Sequence, residues 1–75
     1  MTELSKSECE RRVARLAQRE AEVLRLMSFG LASKEIAVTL EISIHTVRVH
    51  RERIYSKLGV TGLGQAVRVA MTAEI

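Results

Sequence analysis

The chain has no proline and no tryptophan, four glycines, and a single phenylalanine and tyrosine among its 75 residues. Nothing in it breaks a helix by removing a backbone donor. Helix formers such as Ala, Leu, Glu, Arg and Met dominate, which points to an all-α fold. One cysteine, Cys9, cannot form an internal disulfide, and with two scattered histidines it makes no ligand cluster, so neither a metal nor a cofactor is expected. The opening residues MTELSKSECERR are charged and carry no apolar stretch of the kind a secretory leader needs, and no apolar run approaches a membrane span. A cytoplasmic protein is expected. No carboxylate pair, nucleophile–base set or glycine-rich phosphate loop is visible, so an enzyme is not expected.

What is present is 47% hydrophobic residues, enough for one small globular domain rather than a disordered chain, and a net charge of +3. A core this small is marginal, and a second copy would add to it. The charge is unevenly placed. Residues 1–22 hold five basic and five acidic residues, whereas residues 42–58 set Arg48, Arg51, Arg53 and Lys57 against Glu52 alone and so carry the whole excess. A basic stripe on one helix is the footprint of a polyanionic partner.

Residues 1–15 read as a charged lead-in, partly helical or frayed, with Leu4, Cys9, Val13 and Leu16 as a short apolar stripe. Residues 16–75 read as the domain proper. Val23, Leu24 and Met27 predict a helix over about 18–29, with Glu20 and Glu22 at the positive end of its dipole and Gly30 as its left-handed terminator. A second helix, about 33–41, has Ser33 as its cap and buries Ile36, Ala37 and Leu40. After a tight connection Ser43 caps a third, about 44–58, with Val47, Ile54 and Leu58 inward and Gly59 as the stop. A fourth covers about 63–74, with Gly62 as cap and Gln65 reaching back to it. Two short helices joined by a tight turn make a helix-turn-helix, about 33–53, that presents its second helix outward.

At about 100° per residue, the face of helix 44–58 opposite its buried stripe carries His45, Val49, Glu52, Arg53 and Ser56, flanked by Thr46 and Arg48. It combines basic charge, short hydroxyls and one β-branched apolar residue. Arg48 has the fork that matches guanine O6 and N7, and Val49 suits a thymine methyl. Thr46, His50, Arg51, Arg53 and Lys57, with Ser43 and His45 beside them, are candidate phosphate contacts. Ser33, Lys34 and the backbone N–H groups at the start of helix 33–41 can hold another phosphate. Competing readings stand beside these: solvated surface charges for Arg51 and Lys57, a packed histidine for His50, a lone surface valine for Val49, and the rim of the core for Tyr55.

The run REAEVLRLMSFGLASKEIAVTLEISIHTVRVHRERIYSKLGV followed by QAV, within about residues 16–70, resembles the LuxR/NarL-type helix-turn-helix family, the output domain of many bacterial transcription regulators. Arg19-Glu20 ahead of Val23-Leu24, Gly30, Lys34-Glu35-Ile36-Ala37, Ile42-Ser43, Thr46-Val47-Arg48 with His50, and Lys57-Leu58-Gly59-Val60 sit in register. The resemblance implies a four-helix domain whose third helix reads DNA and whose fourth mediates dimerisation. It places Arg48, Val49 and residue 52 towards bases, and Lys34, Thr46 and His50 near the backbone. The chain departs from the pattern in four places. Ala17 stands where a capping Thr is usual, which predicts a ragged start to helix 18–29, and Ser33 replaces Asn. Leu63 replaces an Arg near the start of the fourth helix. Glu52 stands where a basic or polar residue is common. A carboxylate there repels phosphate but accepts from cytosine N4, so a role in specificity is expected.

Helix 63–74 supports dimerisation by itself. Leu63, Ala66, Val67, Val69, Ala70, Met71 and Ala73 cover about half its circumference, more than the stripe of about 100° that packing on one core needs. The surplus, at Val69, Ala70, Met71 and Ala73, is expected to meet its own copy in an isologous homodimer, the competing reading being a helix buried more deeply in its own domain. The expected protein is a sequence-specific, dimeric transcription regulator that inserts helix 44–58 into the major groove of double-stranded DNA. RNA polymerase is a candidate further partner, and no membrane is involved. Two alternatives stay open: a promoter-reading module like the fourth region of a sigma factor, and a helix-turn-helix fold that binds another protein.

Overall fold

The structure is a computed structural model that describes residues 4–75; the first three residues of the expected lead-in lie outside them. The described chain folds into five helices: α1 (Lys6–Val13), α2 (Gln18–Ser28), α3 (Ser33–Leu40), α4 (Ile44–Leu58) and α5 (Leu63–Ala73). The all-α helix-turn-helix architecture is present, with one helix more than the four foreseen. Among the described residues no helix is long and apolar enough to cross a membrane, and no cluster of His, Cys, Asp or Glu is grouped to hold a metal ion.

The extra helix, α1, begins at Ser5, whose Oγ accepts from the Glu8 N–H at 3.1 Å. Glu8 in the first turn and Arg11 and Arg12 in the last suit the helix dipole. Arg11 Nη2 and Arg12 Nε donate to the Glu8 carboxylate at 2.5 Å and 3.0 Å. These hydrogen bonds bring the Glu8 carboxyl from an ordinary 4.5 down to about 2. Eight residues are too few to hold a helix in water, so packing holds this one. Cys9 is buried, and Leu4, Val13 and Leu16 pack half-buried against the core. α1 lies across α5 and α4. Arg12 Nη1 donates to the Leu58 carbonyl at 2.7 Å, satisfying one of the free acceptors at the end of α4. Gly59 follows at φ 70, and a Cβ there would stand 2.9 Å from Arg12 Nη1. Glycine thus serves both the left-handed turn and the arginine's approach.

Carboxylates start two of the helices. α2 begins cleanly at Gln18 despite Ala17 in the cap position, because Glu20 Oε1 accepts from the Ala17 N–H at 2.9 Å. In α3 Glu35 Oε1 accepts from the Ala32 N–H at 2.7 Å. The cap of α3 is therefore Ala32, and Ser33 is the first helical residue. Each glutamate sits at the third helical position, from which a side chain reaches back to the cap backbone. Ser43 caps α4 as expected, accepting from the Thr46 N–H at 3.0 Å. Gly62 caps α5, but Gln65 reaches one residue further, to the Thr61 N–H at 3.0 Å. α3 ends with Glu41 left-handed at φ 58, closed by the Ile42 N–H on the Ala37 carbonyl at 3.0 Å. That conformation suits glycine and costs a residue with a Cβ about 1–2 kcal/mol.

α4 is the pivot of the fold and packs against each of the other helices. Val47, Ile54 and Leu58 are fully buried, in one cluster with Val23, Leu24 and Met27 of α2 and Ile36 and Ala37 of α3. α5 buries Ala66, Val69, Ala70 and Ala73, and packs on α1 and α2. Val69, Ala70 and Ala73, expected in a dimer interface, are thus inside this chain. The apolar width of α5 that looked surplus is covered by α1. Of the four residues only Met71, 66% exposed, faces outward.

Candidate nucleic-acid interface

Burial of Val47, Ile54 and Leu58 fixes which side of α4 faces solvent. His45, Arg48, Glu52, Arg53 and Ser56 are exposed there, with Thr46 and Val49 half-buried beside them. Lys34 is exposed in the first turn of α3. Lys34, His45, Arg48, Glu52 and Arg53 make no hydrogen bond or ion pair among the described residues. They are polar heads carried on rigid helices with their hydrogen-bonding capacity unused. Ser43 Oγ and Thr46 Oγ1 stand 2.9 Å apart, and the serine also holds the cap, so both hydroxyls are engaged at the start of α4.

Three expected phosphate contacts, Ser33, Arg51 and Lys57, are engaged within the chain, and a fourth, His50, is half-buried. The Arg51 guanidinium donates through Nη1 to Ser33 Oγ and through Nη2 to Tyr55 Oη at 2.9 Å, and lies 6.0 Å from the Tyr55 ring centroid. Arg51 and Ser33 therefore tie α4 to the start of α3, and Tyr55 steadies the arginine from one turn along. Lys57 Nζ is bound to Glu20 Oε1 at 2.7 Å. Glu20 is 3% exposed and already caps α2, so this pair locks α4 to α2. Burial alone would push the Glu20 carboxyl up. The Lys57 hydrogen bond, the Ala17 N–H and the charges of Lys57 and His50 outweigh it and hold the carboxyl below its usual range. His50 is half-buried with Nδ1 enclosed and unpartnered, so the ring is packed but that nitrogen makes no bond within the described chain.

Three residues with structural roles at this site were not foreseen: Glu20 as a lock, Tyr55 as an acceptor for Arg51, and Arg12 as the terminator of α4. The Arg51–Tyr55 spacing of four residues is a readable helical neighbour signal. The others pair residues 37 and 46 positions apart and carry no local signal.

Four helices around a central α4, with α3 and α4 as the helix-turn-helix, define a helical DNA-binding module. The family model described as "Bacterial regulatory proteins, luxR family" matches residues 14–70, and the chain belongs to that family of transcription regulators. It is 41% identical over 71 residues to the transcriptional regulatory protein FixJ of Azorhizobium caulinodans, covering 95% of this chain and 34% of that protein. It is 48% identical over 59 residues to TdiR of Thauera aromatica, a transcriptional regulatory protein, covering 79% of this chain and 26% of the relative. The C4-dicarboxylate transport transcriptional regulatory protein DctR of Rhodobacter capsulatus is 45% identical over 50 residues, covering 67% and 25%. The chain thus spans about a quarter to a third of the length of these relatives. The family is one of DNA-binding regulators and not an enzyme class.

Proposed function

We propose that the chain is a sequence-reading module of a cytoplasmic bacterial transcription regulator, and that α4 enters the major groove of duplex DNA. Arg48, Val49 and Glu52 face base edges. Lys34, His45, Thr46 and Arg53 lie near phosphates, and the outward edge of His50 is a further neighbour of the backbone. The carrying observation is the row of exposed, unpartnered polar heads on the one helix that all the others brace. Ser33, Arg51 and Lys57 serve this reading by holding α4 in place and not by touching DNA.

Two copies meet through the outer face of α5 in this reading. Leu63 is 46% exposed, Gly64 has open space around its Cα, and a shallow groove runs past Gly64, Val67 and Met71. An isologous contact there sets two α4 helices on half-sites about one helical turn apart.

Selection of duplexes from a random pool, followed by titration at two salt concentrations, tests the proposal. Arg48→Ala is expected to weaken specific binding by about 1–3 kcal/mol and to relax preference at one base pair. Equal weakening on selected and random duplexes would make Arg48 a phosphate contact. Purified chain that ignores duplex DNA even in dilute buffer, while binding a regulator protein, would favour the protein-interaction alternative.

A further inference from the structure

Glu52 is the only acidic residue in α4. Glu8, Glu20, Glu22, Glu35 and Glu74 each accept from a donor within the chain. Glu52, like Glu10 and Glu41, does not among the described residues, but of these three it alone lies on α4, with Arg48 one turn before it and Arg53 beside it. A carboxylate so placed is unfavourable against a polyanion unless something in the groove donates to it. We propose that Glu52 selects a cytosine, accepting a hydrogen bond from its N4 amino group; this rests on the reading of α4 as the groove helix.

The chemistry narrows the choice. An ionised carboxylate only accepts. In the major groove guanine offers N7 and O6, both acceptors, and thymine offers O4 and a methyl group, so both are rejected. Adenine offers an N6 donor, but its N7 acceptor lies alongside and opposes the second carboxylate oxygen. Cytosine presents its N4 donor without that neighbour. Arg48 and Glu52 are four residues apart, about 6 Å along the helix. Stacked base pairs are about 3.4 Å apart. A helix lying in the groove is inclined to the DNA axis, so the cytosine falls about one to two base pairs from the guanine that Arg48 reads. Glu52 weakens binding to DNA at large through repulsion and recovers it only on the matching base, so it raises discrimination at the expense of general affinity.

The test uses the whole chain and its Glu52→Ala and Glu52→Gln variants, each selected against a random duplex pool and then titrated on matched and singly changed sites. Arg48→Ala marks the reference position by the preference it relaxes. The wild-type chain is expected to require a G·C pair about one to two positions away. Glu52→Ala is expected to lose about five- to tenfold discrimination there and to bind random DNA more tightly. Glu52→Gln is expected to move the preference towards adenine. Unchanged base preferences in Glu52→Ala, with random binding raised, would reduce Glu52 to a repulsive charge and overturn the proposal alone. Absence of duplex binding by the wild-type chain would instead overturn the groove reading on which it rests.

Discussion

Replacing Lys57 by methionine separates a phosphate contact from a structural lock. The substitution keeps most of the stem and removes the ammonium that meets Glu20 Oε1 at 2.7 Å. The Glu20 side chain is 4% exposed, and the Lys57 side chain 38% exposed. Breaking a fully buried pair costs about 3–5 kcal/mol. Here the half-open lysine lowers that figure, and the Ala17 N–H still serves the carboxylate. A hydrogen bond to a charged group contributes about 1.5–3 kcal/mol, and a loss of about 2 kcal/mol is expected. For a domain of this size that lowers the melting temperature by about 8–16 °C. Thermal and urea melts measure the loss, and titration of duplex DNA at two salt concentrations, well below the melting point, measures the other arm. A lock leaves the salt dependence unchanged. A phosphate contact removes about one unit of slope and shifts stability by less than about 0.5 kcal/mol. That second pattern would refute the inward assignment. Glu20→Gln combined with Lys57→Met should be less destabilised than the sum of the two, because each single change already breaks the shared bond.

Glu41→Gly relieves a left-handed glutamate at the helix-turn-helix corner and, after the added freedom of the unfolded chain, should stabilise the domain by about 0.5–1 kcal/mol in urea melts. Glu8 binds its proton less readily folded, at about 2, than unfolded, at 4.5, so its contribution is complete above 4.5 and is lost as pH falls towards 2. Melts of Glu8→Gln should show a smaller fall in stability across that window than those of the wild-type chain. Met71→Glu places a charge on the outer face of α5, the face of the proposed dimer; sedimentation is expected to show a dimer for the wild-type chain and a monomer for the variant at the same concentration, with an unchanged melting profile in dilute solution.

The legible parts of this fold are those whose signals are local. Ser43 ahead of α4, Gly59 behind it and the seven-and-four spacing of Val47, Ile54 and Leu58 all act within one helix, and the structure places each as read. The capping glutamates are legible in principle, since Glu20 and Glu35 stand three residues after Ala17 and Ala32, but without a hydroxyl at the cap position the signal is only half a capping box. α1 was faint for a physical reason: its apolar stripe is narrow, and only contact with α5 and α4 holds it. The same contact explains α5. Its broad apolar surface predicts a second partner, but a sequence pattern does not say whether that partner is another molecule or a helix of the same chain, and Val69, Ala70 and Ala73 are buried within the chain. Arg51 and Lys57 look like any exposed cations in sequence, and their partners are 18 and 37 residues away.

Because Arg51 and Lys57 point inward, few cations are left for the outside of the helix. Arg48 and Arg53 face solvent there against Glu52, with Lys34 nearby. On the groove reading, so few anchors give a loose hold on unrelated sequence, since general affinity grows with the number of phosphates neutralised. Such a molecule leaves wrong sites quickly, and its residence on the right one is decided by base match and by a second copy. A brief stay almost everywhere and a long one in few places would then be a kinetic character set by two side chains that never meet the DNA.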